Sequence, residues 1–464
     1  MALTDPVHAM RYGLHGAHAA TCDQAISLPP RLLNQVRSHF YYVDHCPVDG
    51  RRIHLNAAGE PLALKAAVQV GAELASLPAP LEADAPGYSA QATVATHGWE
   101  DLETLLGASH GRLWRAPSVD ECWARVLSLA LEAIPPQSQV VSTALASSDE
   151  TTAIALHARR RALSTTTVPV NPLTGRLETL DYARCVIPET RVATLVHTCP
   201  VTGMRQDVAG IASAIRRVAP ACFILVLGAH HAGHGPLDVA LWEVDAYVVG
   251  SEALFCRPRQ GFAWLSRRLC LAMRDAPPSG LMPPHRDEAP AALASITEWV
   301  AYLDWLGGHF STAIPRRPRL VAASDAIRAH ERALMHCLLH GVDDGMPTTG
   351  ATITTTTTTP PLSRCGLQGH PRVRVIGAPH ARWRDGTLAF NVRGIEAWEV
   401  VQWLAATGIS AQLLHSPEAE RLLAPFGYKA ATRLSLSHYN SEEEIAACLQ
   451  ALEPLLGRPP RAKG

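Results

Sequence analysis

The sequence predicts an α/β protein: a large domain built on a mostly parallel sheet, followed by a smaller α+β C-terminal domain. Three observations carry that expectation. Short β-rich runs alternate with helical stretches from about residue 51 to 316, namely VVS at 140–142, TTTVPV at 165–170, RVATLVHT at 191–198, CFILVLGA at 222–229 and DAYVVG at 245–250. Segment 207–218 sets Val208, Ile211 and Ile215 on one face, as a crossover helix between two parallel strands requires. At 464 residues and 47% hydrophobic, the chain is long enough to bury a large core and to divide into two domains.

The elements follow in order. Residues 1–50 read as a polar lead-in with weak periodicity, ending in Phe40, Tyr41 and Tyr42. The large domain spans 51–316, and a helical stretch at 293–306 leads out of it. The small domain, 319–464, opens with a helix at 326–340 and continues with alternating strands at 372–377 and 387–392. A helix with Ile395, Trp398, Val401 and Leu404 on one stripe comes next, and a last helix begins after Ser441. Trp299, Trp305, Trp398 and Trp403 sit at helical spacing and read as packing residues rather than a ligand cage. Within the small domain, residues 345–366 are low-complexity and threonine-rich, and Pro360 and Pro361 stop the run. That composition predicts a flexible surface insertion.

Composition excludes several classes of function. Lysine plus arginine (41) balances aspartate plus glutamate (42), so no overall field points to nucleic acid or an anionic membrane. Eleven cysteines without a CxxC pair or scaffold spacing predict a reducing, intracellular, cytoplasmic setting rather than a disulfide framework. No apolar run approaches the ~18 residues of a spanning helix, and the first 36 residues lack a signal-peptide apolar block. Lysine is scarce: only Lys65, Lys429 and Lys463 occur. Arginine replaces lysine where charge alone matters, but it cannot replace an amine that must condense with a carbonyl.

Residues 191–265, from RVATLVHTCPVTG through VLGAHHAGHGPLDV and VVGSEALF to RQGF, resemble the heart of the class V aminotransferase and cysteine desulfurase family. RRIHLNAAGEPLAL at 51–64 is similar to that family's entry strand, and TRLSLSHYNSEEEI at 432–445 to its closing motif. The resemblance covers roughly residues 51 to 455. It implies fold type I of the pyridoxal phosphate (PLP) enzymes, PLP as cofactor, and a homodimer or a mixed dimer with a related chain.

Position by position, the same resemblance implies that the PLP chemistry is lost. Ala253 stands where the Schiff-base lysine belongs, and Leu227 where a carboxylate would keep the pyridine nitrogen protonated. Pro200 replaces an asparagine, and Leu145 and Ala146 replace a glutamate-histidine pair that would supply the stacking ring. The stretch 408–423 holds no cysteine to accept sulfur. Three polar positions are retained: Ser118 where relatives bind phosphate or simply cap a helix, His230 near the ring hydroxyl, and Arg433 where a substrate carboxylate is clamped.

Other motifs are weaker. His230, His231 and His234 lack a third ligand of evident spacing, so they read as turn histidines and no metal is expected. Lys65 reads as a solvated lysine on a helix rather than a displaced Schiff-base residue. Two functions therefore stand at this point. One is a catalytically degenerate family member that binds a partner chain or a small carboxylate ligand. The other is an active transferase or lyase, PLP-dependent or not, acting on an amino acid or other small carboxylate.

Overall fold

A computed structural model of the chain describes residues 26–78, 86–108, 110–274, 289–342 and 361–457. Seven strands form the central sheet: β1 (Gly111–Ala116), β2 (Gln139–Thr143), β3 (Ser164–Val168), β4 (Thr190–Val196), β5 (Phe223–Leu227), β6 (Ala246–Gly250) and β7 (Gly261–Ser266). Their order across the sheet is β1-β7-β6-β5-β4-β2-β3. The strands from β3 to β6 in that order run parallel, while β7 is antiparallel to both β6 and β1. These five parallel strands are the five β-rich runs of the sequence. The inner ones read as apolar segments because helices cover both faces of the sheet, and every residue of β6 is buried, whereas the edge strand β3, STTTV, is largely exposed.

The crossover helix Val208–Val218 buries Val208, Ile211 and Ile215 as its spacing predicts. Asp207 caps it by accepting from the Gly210 amide at 3.0 Å, which satisfies one of the orphan donors of the first turn. Helix Pro290–Gly307 buries Trp299, and helix Arg316–His340 starts ten residues before the predicted 326; Pro318 falls in its first turn, where the missing amide proton would have no intrahelical acceptor.

In the small domain β8 (Val373–Val375), β9 (Thr387–Val392), β10 (Gln412–Leu414) and β11 (Ala431–Ser435) form an antiparallel sheet ordered β8-β9-β11-β10. The last helix, Glu442–Leu456, opens with a capping box in which Ser441 and Glu444 bond each other's backbone amides. The entry segment joins this domain's core: Ile53–His54 pairs parallel with Ile409–Ser410, and Leu55 packs with Phe390 and Leu434.

Three readings of the sequence change. Helix Ala397–Ala406 buries Ala397, Val400 and Leu404, leaving Trp398 47% exposed, so the apolar stripe is rotated by one position from the predicted one. The lead-in is not merely polar: helix Pro30–Ser38 buries Leu32, Leu33 and Val36, and Phe40 packs edge-on against Phe255 and Tyr302. Of the threonine-rich segment, 345–360 lies outside the described residues, but Leu362–Gly369 is helical and buries Leu362, Gly366 and Leu367. Among the described residues, no helix is long and apolar enough to cross a membrane.

Candidate functional site

A cavity of about 350 Å³ opens at the carboxyl ends of β4 and β5 and against the short turn Ser251–Leu254 that follows β6. This is where open α/β sheets place ligands. Pro200, Leu227, His230 and Ala253 all line it, so four positions drawn from 54 residues of sequence converge on one space. Val196, Leu145 and Phe255 add apolar wall.

Of the other expected positions, Leu145 joins the lining, and Ala146, Ser118 and Arg433 do not. Leu145 faces the cavity, whereas Ala146 is buried behind it and its carbonyl accepts from Arg421. Ser118 caps the helix Val119–Ala133, accepting from the Glu121 amide at 3.1 Å, and the neighbours Val119 and Asp120 reach the cavity instead. That helix carries Asp120 and Glu121 in its first turn, so its positive end is already met by carboxylates. Arg433, on β11, is 5% exposed and donates to the Pro200 carbonyl at 2.6 Å and to Gln412. Its Nε is buried without a partner, and burial lowers the guanidinium to about 10. The guanidinium thus braces the Pro200 turn rather than lining the cavity.

The two lysines among the described residues lie elsewhere. Lys65, at the start of helix Lys65–Ser76, donates to the Ser38 carbonyl at 2.7 Å beside a separate surface cleft, and Lys429 is 88% exposed near Glu420. Neither is part of the cavity lining.

Besides Asp120, Ser147, Glu252, Arg259 and Glu418, two histidines line the cavity. His230 is pushed down to about 4, first by burial and then by the nearby Arg433 and His234 charges, so it is neutral at pH 7. His234 behaves oppositely. Burial alone would lower it, but Glu331 accepts from its Nδ1 at 2.7 Å and the paired charge outweighs burial, raising it to about 9. The cavity therefore holds a protonated imidazole beside a neutral one. Glu331 sits on helix Arg316–His340, 97 residues away in sequence, and no local motif pairs it with His234. The H-x3-H spacing draws attention to the turn without identifying this role.

The histidine cluster is divided between two sides of the sheet. His231 turns away from the cavity, and its Nδ1 donates to Asp385 at 2.7 Å. Among the described residues no group of three metal-type side chains forms.

The retained glycines are explained sterically. Gly203 has φ +71°, and a Cβ there would stand 2.1 Å from the Thr387 carbonyl oxygen. A Cβ on Gly228 would lie 2.3 Å from the Tyr247 ring. Both turns shape the cavity and admit no side chain.

Comparison with known proteins agrees with this architecture. The aminotransferase class-V family model matches residues 124–284. Cysteine desulfurases of Shigella sonnei and Cronobacter sakazakii are 24% and 25% identical over 304 and 305 residues, covering 62% of this chain. The matched region spans 65% of the length of each relative. Among solved structures, a cysteine desulfurase from Escherichia coli has a TM-score of 0.69 at 17% identity, covering 91% of this chain and 98% of that one. The apo cysteine desulfurase from Thermococcus onnurineus has a TM-score of 0.71 at 14% identity, covering 93% and 99%.

Proposed function

We propose, on the premise that this chain is a class V aminotransferase and cysteine desulfurase-like protein in sequence and fold, that it no longer performs PLP chemistry and binds a small carboxylate in the remodelled pocket. The observation that carries the reading is the convergence of Pro200, Leu227 and Ala253 on one cavity with no lysine in its lining. PLP supplies an electron sink only where an amine fixes it covalently and a carboxylate keeps its ring nitrogen protonated. Ala253 and Leu227 offer neither. Asp120, on the lining at the helix end where relatives bind phosphate, would repel a phosphate dianion about twice as strongly as a carboxylate monoanion at the same distance. The residues present do not fit the cofactor.

They do fit a small anion with an apolar body. The His234 imidazolium supplies a buried cation, the neutral His230 a second polar contact, and Leu227, Pro200, Val196 and Leu145 a dry wall. Arg433, which the sequence suggested as the carboxylate clamp, acts one layer behind by holding the Pro200 carbonyl. The family likeness adds a homodimer, or a mixed dimer with a related chain, as the assembly we propose.

An absorbance scan of the purified chain with added PLP, before and after borohydride, tests the reading. No Schiff-base band and no reduced adduct are expected. A band that borohydride traps on any lysine, Lys65 included, overturns it and favours an active PLP enzyme.

A further inference from the structure

The ends of β4 and β5 serve two spaces. Val196 and His230 face the cavity described above, while the adjacent His197 and His231 face a second cleft of about 590 Å³ between the sheet and helix Arg316–His340. That volume is within the range of metabolite pockets.

The two imidazoles are fixed in place. His231 donates its Nδ1 proton to Asp385 at 2.7 Å, and Thr198 donates to the same carboxylate. His197 lies over His231 with ring centroids 3.7 Å apart, and its Nδ1 is 2.8 Å from the Tyr247 hydroxyl. With Nδ1 engaged in each ring, Nε2 is the nitrogen left for the cleft. Burial, followed by neighbouring charges, holds both rings below the usual histidine range, so His231 Nε2 is a hydrogen-bond acceptor at neutral pH.

The cations divide into those already matched and those in excess. Arg317 is used by the Leu105 and Leu237 carbonyls with Asp238 at 3.7 Å, and Arg328 pairs with Asp325 at 2.7 Å. Asp207 is occupied as a helix cap. Arg205 reaches only to 4.0 Å from Asp385 Oδ1, and that buried oxygen has no hydrogen-bond partner. Arg176 carries no ion pair among the described residues; its guanidinium lies 5.2 Å from the Trp383 ring and its Nε donates to the Arg205 carbonyl. Arg176 therefore faces the cleft without a carboxylate partner among the described residues, and Arg205 with only the long 4.0 Å pairing to Asp385. Trp242 and Val321 provide apolar surface beside them.

We propose that this cleft is a second ligand site, separate from the family pocket, for a small anion bearing a flat ring. Arg176 and Arg205 hold the carboxylate or phosphate, Trp242 packs against the ring, and His231 Nε2 accepts a hydrogen from the ligand. The bidentate fork of arginine suits either anion, and the neutral acceptor favours a ligand that carries a donor.

Calorimetric titration of the full chain with benzoate, phenyl phosphate and inorganic phosphate tests the proposal and separates the two anion chemistries. Saturable binding of at least one ring-bearing anion is expected, with inorganic phosphate about tenfold weaker for want of the ring contact. Arg176→Gln should weaken binding about tenfold. Histidine side-chain NMR should shift His231 on titration. His234→Gln, in the other cavity, should leave the Arg176-dependent binding of phenyl phosphate unchanged. Absence of saturable binding by both ring anions overturns the proposal, as does full affinity in both Arg176→Gln and Arg205→Lys. Arg176 is half-exposed, so its variant keeps the test valid if Arg205 variants fail to fold.

Discussion

The two spaces at the ends of β4 and β5 are built from alternate residues of the same turns, yet they have opposite chemistry. The cavity facing Leu227 and Ala253 has an apolar wall, with His230, His234 and the buried, unpartnered Oε2 of Glu252 as its inner polar groups. The cleft behind it is bounded by a network in which His231 and Thr198 both donate to Asp385, His197 bonds the Tyr247 hydroxyl, and the His197 ring stacks on His231. The difference teaches that two spaces on one scaffold can tolerate change unequally. Side chains that face a cavity can be exchanged for apolar ones at little cost, whereas members of a buried polar network cannot be removed singly without stranding their partners.

The sharpest way to break this comparison is at Asp385. It is 3% exposed and accepts from His231 and Thr198. Asp385→Ala should cost about 3–5 kcal/mol, since it leaves buried donors and Arg205 unmatched. Leu227→Asn, on the cavity wall, should cost clearly less. Urea unfolding of both variants checks this, and similar losses would show that the two regions are not energetically distinct.

A weaker but broader test is acid. His54, His230 and His330 are each lowered to about 4, with burial the leading cause, and His197, His231 and His438 are lowered as well. In the unfolded chain each takes up a proton near 6.5, so between about 6.5 and 4 the unfolded state binds more protons and stability falls as pH drops. The slope should be roughly 1.4 kcal/mol per pH unit for each such histidine. Unfolding midpoints from pH 7 to 4.5 measure it. His230→Gln should flatten the slope by one histidine's share, and an unchanged slope would remove His230 from the set of buried neutral residues.

The smallest effect belongs to His234. Its folded value of about 9 lies above 6.5, so its contribution is complete below about 6.5 and disappears as pH rises through 9. His234→Gln should abolish that alkaline loss and weaken isovalerate binding about tenfold at pH 7, while Arg433→Lys weakens it less. Calorimetry with isovalerate reads both, and equal affinity in wild type and His234→Gln would move carboxylate recognition away from this pair.

Much of this was legible in the chain alone. The inner parallel strands announce themselves as apolar runs because both faces are covered, and Asp207, Ser118 and Ser441 mark helix starts because a side-chain oxygen there meets an orphan amide. The substitutions at Pro200, Leu227 and Ala253 could be read because each sits within a motif whose neighbours keep the register. The stripe on the helix at 397–406 was misplaced because Trp398, though large and apolar, faces outward.

What sequence could not supply is pairing at a distance. Glu331 and His234 are 97 residues apart and Asp385 and His231 are 154 apart, so neither charge state nor partner follows from local spacing. Likewise Arg433 kept the position of a carboxylate clamp, but the turn at Pro200 decided what its guanidinium holds. Sequence determined the scaffold and the missing amine, because backbone turns and covalent chemistry demand particular residue types. Tertiary structure alone decided which histidine is charged and which side of the sheet each one serves, because burial and ion pairing depend on what the fold brings into contact.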